Sequence, residues 1–379
     1  MNKQPLAGLA VLDFSTLLPG PLASLLLSEA GADVVKVEPP QGDGMRALGL
    51  GARSDDALFA LLNAGKKSVC IDLKNPDERE AFDPLVAQAD ILIEQFRPGV
   101  MKRLGLDYET VRAINPGIIY CSITGYGQDG PLSQRAGHDL NYLADAGILA
   151  LSPGETPCLP PVLAADIAGG AYPAFFNILL ALRCRERDGA GQQLDIAMTE
   201  GLFPFAFWAL AQGWGEGRWP DPGTALFNGG SPRYRIYRAA DGGLVTVAAI
   251  EEKFWQRFCE GIDLPPEMRG GEADSETVIA AVTQIIASRP ADHWRQLFEE
   301  YDCCCGVAAQ LSDAVSHPQF TGRGLFSDRI AGATGAVIPA LPLPVVSRFR
   351  GQDELRAAPE LGAHNALLMR RETRNSDET

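Results

Sequence analysis

Short apolar runs rich in Val, Ile and Leu alternate with helix-patterned stretches from residue 9 to residue 122. Strands are expected at 9–14, 33–37, 69–73, 91–94 and 118–122, with helices at 21–30, 76–88 and 108–115 between them. Such a β-α-β succession predicts an α/β fold with a mostly parallel sheet covered by helices on both faces. Parallel sheets bind ligands outside the carboxyl ends of their strands, so the loops that leave these runs are where function should be sought.

Two longer helices are expected at 165–185 and 198–212, the first carrying the apolar run 171–182 into a core. Residues 213–232 are then rich in Gly, Pro and Trp and read as a linker. A second block follows, with strands near 234–237 and 244–249 around the turn Asp241-Gly242-Gly243 and helices near 254–260, 275–287 and 291–299. At 379 residues the chain exceeds one ordinary core. The expected organisation is a large α/β domain (1–212 and 327–379), the linker 213–232, and a smaller α+β domain (233–326). Strand-like pieces at 336–338 and 345–347 precede a charged tail whose last ten residues are expected to fray.

Lys and Arg total 33 against 48 Asp and Glu, a formal net charge of −15, which argues against nucleic acid or an anionic membrane surface as a partner. A polyanionic ligand would need a local basic patch. No uninterrupted apolar stretch of about 18 residues is present, so no bilayer span is expected, and the first residues lack the pattern of a secretory signal. The eight cysteines show no CxxC pair and there are only four histidines, so buried thiols in a reducing cytoplasm are expected and a metal site is not.

Three constellations could carry chemistry. Gly125–Pro131 is a glycine-dense loop leaving a strand, and Gly137-His138-Asp139-Leu140-Asn141-Tyr142 follows it, gathering imidazole, carboxylate, amide and phenol within five positions. Asp166 lies among Ala164, Ala165, Ala168, Gly169 and Gly170 at a helix start, where a carboxylate is also a common structural cap. Free backbone N–H groups at such a start could hold a developing oxyanion, and the small residues would admit a bulky substrate. Lys66, Lys67, Lys74, Arg97, Lys102 and Arg103 gather near strand ends and together suggest an anion site. On residue types alone, His138 and Asp166 stand open between structural and functional roles. No GxGxxG opens a helix after the first strand, and no P-loop or GxSxG motif is present.

Taken together, these segments resemble the family III CoA-transferases (the CaiB–BaiF superfamily) and, within it, the α-methylacyl-CoA racemase branch. The likeness runs through Leu6–Asp13, Gly31–Glu38, Asn63–Lys74, Phe96–Gly99, Ser122–Pro131, the Asp166 segment, Asp241–Glu251 and His317–Phe326. It implies a Rossmann-like large domain, an interlocked homodimer, and an acyl-CoA thioester as substrate, with coenzyme A entering as part of that substrate and no tightly bound cofactor. Transferases of this kind use the aspartate as a nucleophile. Racemases pair it with a histidine in a GHDINY-type segment, which here is Gly137–Tyr142, and add a glutamate that orients the histidine, here Glu251, with neighbouring Glu252 as the alternative. By the same resemblance CoA would be held by Ile71, Asp72, Leu73, Lys74, Phe96, Arg97, Arg103, Gly137, Asp139, Leu140, Asn141 and Tyr142. The implied reaction interconverts (2R)- and (2S)-2-methylacyl-CoA, the alternatives being CoA transfer through Asp166 and non-catalytic acyl-CoA binding. Leu140 and Tyr142 would help to accept the acyl chain. Two positions depart from the pattern: Pro39 and Ala64 stand where relatives carry arginine.

Overall fold

The computed structural model describes residues 4–48, 56–154, 156–271, 273–351 and 355–369. The tail expected to fray, 370–379, lies outside the described residues. The chain divides into two compact units. The first takes the described residues of Met1–Asp145, Val162–Phe203 and Pro318–Thr379, and the second those of Ala146–Pro161 and Pro204–His317. Residues 204–232, read from sequence as a helix end and a linker, group with the second unit, and 318–326 group with the first.

In the first unit β1 (Ala10–Asp13), β2 (Asp33–Glu38), β3 (Lys67–Cys70), β4 (Ile91–Glu94), β5 (Ile119–Thr124) and β6 (Gln192–Ala197) form one sheet. Every pairing in it is parallel, and the order is β3-β2-β1-β4-β5-β6. All residues of β4 and β5 are buried, as near-continuous apolar strands in a doubly covered sheet should be. The order reverses between β1 and β4, which opens a crevice at their carboxyl ends.

The helix Pro19–Glu29 leaves β1 with prolines in its first turn and is buried at every position but Ser28. The helix expected at 165–185 begins instead as a π-helical turn, Ala165–Ala171, and continues as an α-helix over Tyr172–Asp188. Pro173 supplies no N–H, and in α geometry its ring would meet the carbonyl of Gly169, so the turn before it widens. The combined helix is apolar and long enough to cross a membrane by length and composition. It packs against β5, β6 and the helix Pro19–Glu29.

Prolines also shift other boundaries. The expected helix 76–88 breaks at Phe82 into Pro76–Ala81 and Asp83–Gln88, the second with Pro84 in its first turn. The expected helix 198–212 becomes a 3-10 stretch, Glu200–Ala206, containing Pro204, followed by Phe207–Glu216. A small sheet joins β10 (Arg329–Ala331), β11 (Val337–Pro339) and β12 (Leu355–Ala357) in the order β11-β10-β12. The strand expected at 345–347 is absent, and Ser347–Phe349 is a short 3-10 turn.

In the second unit β7 (Tyr234–Arg238), β8 (Leu244–Ala248) and β9 (Cys305–Val307) pair antiparallel in that order. Three helices, Glu252–Gly261, Ser275–Ile286 and Ala291–Tyr301, contribute Trp255, Phe258, Val282, Ile286, Trp294 and Phe298 to a core shared with Val245 and Val247.

Candidate active site

A cavity of about 390 Å³ opens in the first unit at the carboxyl ends of β1, β4 and β5. His138 and Asp166 both line it, with Phe96, Arg97, Gly137, Asn141 and Tyr142. Residues separated by up to 70 positions in sequence thus converge at the switch point of the sheet.

The loop that carries His138 is built around the Tyr142 ring. A Cβ on Gly125 would lie 2.4 Å from that ring and one on Gly137 would lie 2.7 Å away, so only glycine fits at either place. The Tyr142 hydroxyl donates to the Gly137 carbonyl at 2.6 Å, and Tyr126 meets the ring edge-on at a centroid distance of 5.3 Å. The His138 N–H donates to Asn141 Oδ1 at 3.0 Å, which fixes the entry into the helix Asp139–Asp145.

Asp139, expected among the CoA contacts, is buried and does not line the cavity. Its Oδ1 accepts the Asp166 N–H at 2.9 Å, tying the histidine loop to the π-helical turn. This linkage also sets the electrostatics. Burial pushes the Asp166 carboxyl up to about 6, the Asp139 charge pushes in the same direction, and His138 opposes both. A carboxyl so placed exchanges protons near neutral pH.

Two local expectations are corrected. Two of the backbone donors expected at the start of the Asp166 helix are occupied: Asp166 N–H bonds Asp139, and Ile167 N–H bonds the Leu163 carbonyl at 3.1 Å. The glycines beside Asp166 face protein rather than substrate. A Cβ on Gly169 would sit 2.2 Å from the Met198 carbonyl oxygen, and one on Gly170 would sit 2.9 Å from Met198 Cγ and 3.1 Å from Pro19 Cβ. These glycines let the exit of β6 press against the π-helical turn.

The basic residues separate into two groups. Lys66 is buried and cannot meet a phosphate: its Nζ bonds Asp13 at 3.2 Å, Ser24 at 2.7 Å, Asn63 at 2.9 Å and the Pro21 carbonyl at 2.9 Å. Burial alone would raise Asp13, yet Lys66 and Lys36 hold it down at about 2. Lys67 pairs with Asp33 at 2.6 Å. Lys74 and Arg103 are exposed, and neither they nor Ile71, Asp72 and Leu73 line the cavity. The loop 71–74 leaves β3 on the same carboxyl side of the sheet, with Ile71 buried and the Asp72 N–H held by Glu78 at 2.8 Å. Leu140, expected against the acyl chain, is 45% exposed and does not line the cavity either.

In the second unit Glu251 is exposed and directly precedes the helix Glu252–Gly261. Glu252 already pairs with Arg233 at 2.7 Å and accepts from Gln256 at 2.6 Å. Of the two neighbours, Glu251 is therefore the better placed to act on another group.

Sequence reasoning missed Leu17 and Gln95, which also line the cavity. Leu17 has a left-handed backbone, φ 62, and Gln95 Oε1 accepts the Gly20 N–H at 3.1 Å. Both sit where β1 and β4 end, the place that a parallel sheet marks for ligand contact.

The model of CoA-transferase family III matches residues 6–365, and the chain belongs to that family. It is 32% identical to the mouse α-methylacyl-CoA racemase over 376 residues, covering 96% of this chain and 92% of the relative. It is also 30% identical to the acetyl-CoA:oxalate CoA-transferase of Acetobacter aceti over 386 residues, covering 97% and 95%. Among solved structures, a CAIB/BAIF family protein from Brucella suis superposes with a TM-score of 0.81 at 29% identity, covering 97% of this chain and 99% of that one. Relatives at about this identity thus include both racemases and transferases.

Proposed function

We propose that this chain is an α-methylacyl-CoA racemase-like enzyme of the cytoplasm, interconverting 2-methylacyl-CoA epimers through an enolate. The observation that carries the reading is that His138 shares one cavity with Asp166. A transferase needs the aspartate; only the racemase needs an imidazole as well.

The acidic α-proton of the thioester lies between two bases. For one epimer His138 removes it and the Asp166 carboxyl protonates the opposite face; for the other the roles reverse. An Asp166 near 6 has accessible acid and base forms around neutral pH, which suits a group that must both give and take a proton. Tyr142 and Phe96 offer apolar wall, and Arg97 offers a cation to the CoA part. The reading includes an interlocked homodimer in which Glu251 of the partner subunit holds the second ring nitrogen of His138 and fixes its tautomer.

The test is incubation of a 2-methylacyl-CoA with the enzyme in D₂O. Deuterium should enter at the α-carbon with no second acid present, and the His138→Ala variant should lose that exchange while still binding CoA. No exchange across a panel of branched acyl-CoAs, together with an acceptor-dependent reaction and a hydroxylamine-trapped Asp166 adduct, would replace this reading by CoA transfer.

A further inference from the structure

A carboxylate that the acid–base chemistry leaves unused lies beneath the cavity. Glu94 ends β4 at 3% exposure, after Ile91, Leu92 and Ile93, and does not itself line the cavity. Burial pushes its carboxyl up to about 7, and the Asp195 charge on β6 pushes the same way. A leucine at this place would continue the apolar run without the cost of burying a charge. The use of the carboxylate therefore lies in what it holds.

What it holds is the exit of β4. Glu94 Oε2 accepts the Phe96 N–H at 2.8 Å, across two residues, and turns the chain out of the sheet. Gln95, between them, accepts the Gly20 N–H on its Oε1 at 3.1 Å, which pins the same exit to the first turn of the helix Pro19–Glu29. The Arg97 carbonyl then accepts the Val100 N–H at 3.1 Å, ahead of the short helix Val100–Arg103. Held in this way, Gln95, Phe96 and Arg97 all line the cavity that His138 and Asp166 share. Phe96 is half-buried, packing against the core that contains Phe14, Leu92 and Tyr120 while it also forms part of the cavity wall.

We propose that Glu94 is a positioning residue for substrate binding, acting through the Phe96 N–H to set the Phe96 ring and the Arg97 guanidinium before the ligand arrives. That role rests on reading the cavity as a CoA-thioester site, and it holds whether the reaction is epimerisation or transfer. A backbone N–H bonds a carboxylate more strongly than a neutral oxygen. Without that bond the turn is free to sample other conformations, and binding must then order the Phe96 and Arg97 side chains at its own cost.

Calorimetric titration of CoA into the full-length native protein, Glu94→Leu and Glu94→Gln tests this, with urea unfolding showing that each variant is folded. Glu94→Leu should raise the CoA dissociation constant about tenfold. Glu94→Gln, which keeps an oxygen for the Phe96 N–H, should recover most of that affinity. In the native protein saturating CoA should slow amide exchange at Phe96, because a bond that favours CoA must in turn be favoured by it. Equal affinity in the native protein and folded Glu94→Leu overturns the proposal and leaves the reading of the cavity intact. Exchange at Phe96 unchanged by bound CoA does the same and needs no variant. A Glu94→Gln that binds as weakly as Glu94→Leu also overturns it. If the native protein binds no CoA, the reading of the cavity falls and the proposal with it.

Discussion

Replacing Asp139 with Asn takes one negative charge away from Asp166 while keeping an oxygen that can accept its N–H, now 2.9 Å from Asp139 Oδ1. Asp166 stands at about 6 against an ordinary 3.8. That is a difference of roughly 2 pKa units, or ~3 kcal/mol at about 1.4 kcal/mol per unit. Burial is the largest cause and survives the substitution, so Asp166 should fall below its present value without reaching 3.8, recovering only part of the ~3 kcal/mol. The working pair carries one proton between His138 and Asp166, and activity is lost in acid when both are protonated. The acidic limb of kcat/KM should therefore move to lower pH in Asp139→Asn. Because the epimers have nearly equal free energies, forward and reverse kcat/KM match at each pH, and both substrates should show the same displacement. Rates of α-deuteration in buffered D₂O, measured across the acid limb with each epimer, give the profile. An unmoved limb in a folded, CoA-binding variant, or one displaced upward, would refute the account of Asp166.

Three further outcomes follow from named contacts. Asp166→Asn should stabilise the fold by up to ~3 kcal/mol well above pH 6 and not at all below pH 3.8, because a carboxyl raised by burial weakens the folded state as it ionises; thermal unfolding at the two extremes measures this. Lys66→Met removes the ion-pair partner of buried Asp13, leaving Lys36, Ser15 and Ser24 to stabilise its charge, and should cost up to about 3–5 kcal/mol in urea unfolding; a loss no larger than that of an exposed lysine would contradict the buried pair. Gly169→Ala puts a Cβ 2.2 Å from the Met198 carbonyl oxygen, a contact that backbone must move to relieve, so it should destabilise by roughly 1–3 kcal/mol in urea unfolding and depress α-exchange.

Strands buried on both faces could be read directly where apolar residues predominate, as in β1, β4 and β5, while β2 sets Lys36 and Glu38 among its valines. β6 was invisible because Gln192, Gln193 and Asp195 give it no strand-like pattern; its register against β5 makes it a strand. β9 fails in the same way, being three residues of a cysteine run held by β8. The helix expected at 198–212 is interrupted because Pro204 cannot continue regular α geometry.

The site divides along the same line. Residue types singled out His138 and Asp166, but the sequence could not show that Asp139, in the same six-residue segment, bonds and charges Asp166 from behind. Nor could it show that Lys66 faces Asp13, since that meeting requires the order β3-β2-β1. A lysine next to a strand and an aspartate next to a histidine look alike as lists of charges, and burial decides what each does. Lys66 is spent inside a closed pair, whereas Asp166, half-buried and pressed by a like charge, keeps a labile proton at the cavity wall. That contrast, more than the presence of either residue, is why acid–base chemistry is proposed for Asp166, on the π-helical turn, and a structural role for Asp13, in β1.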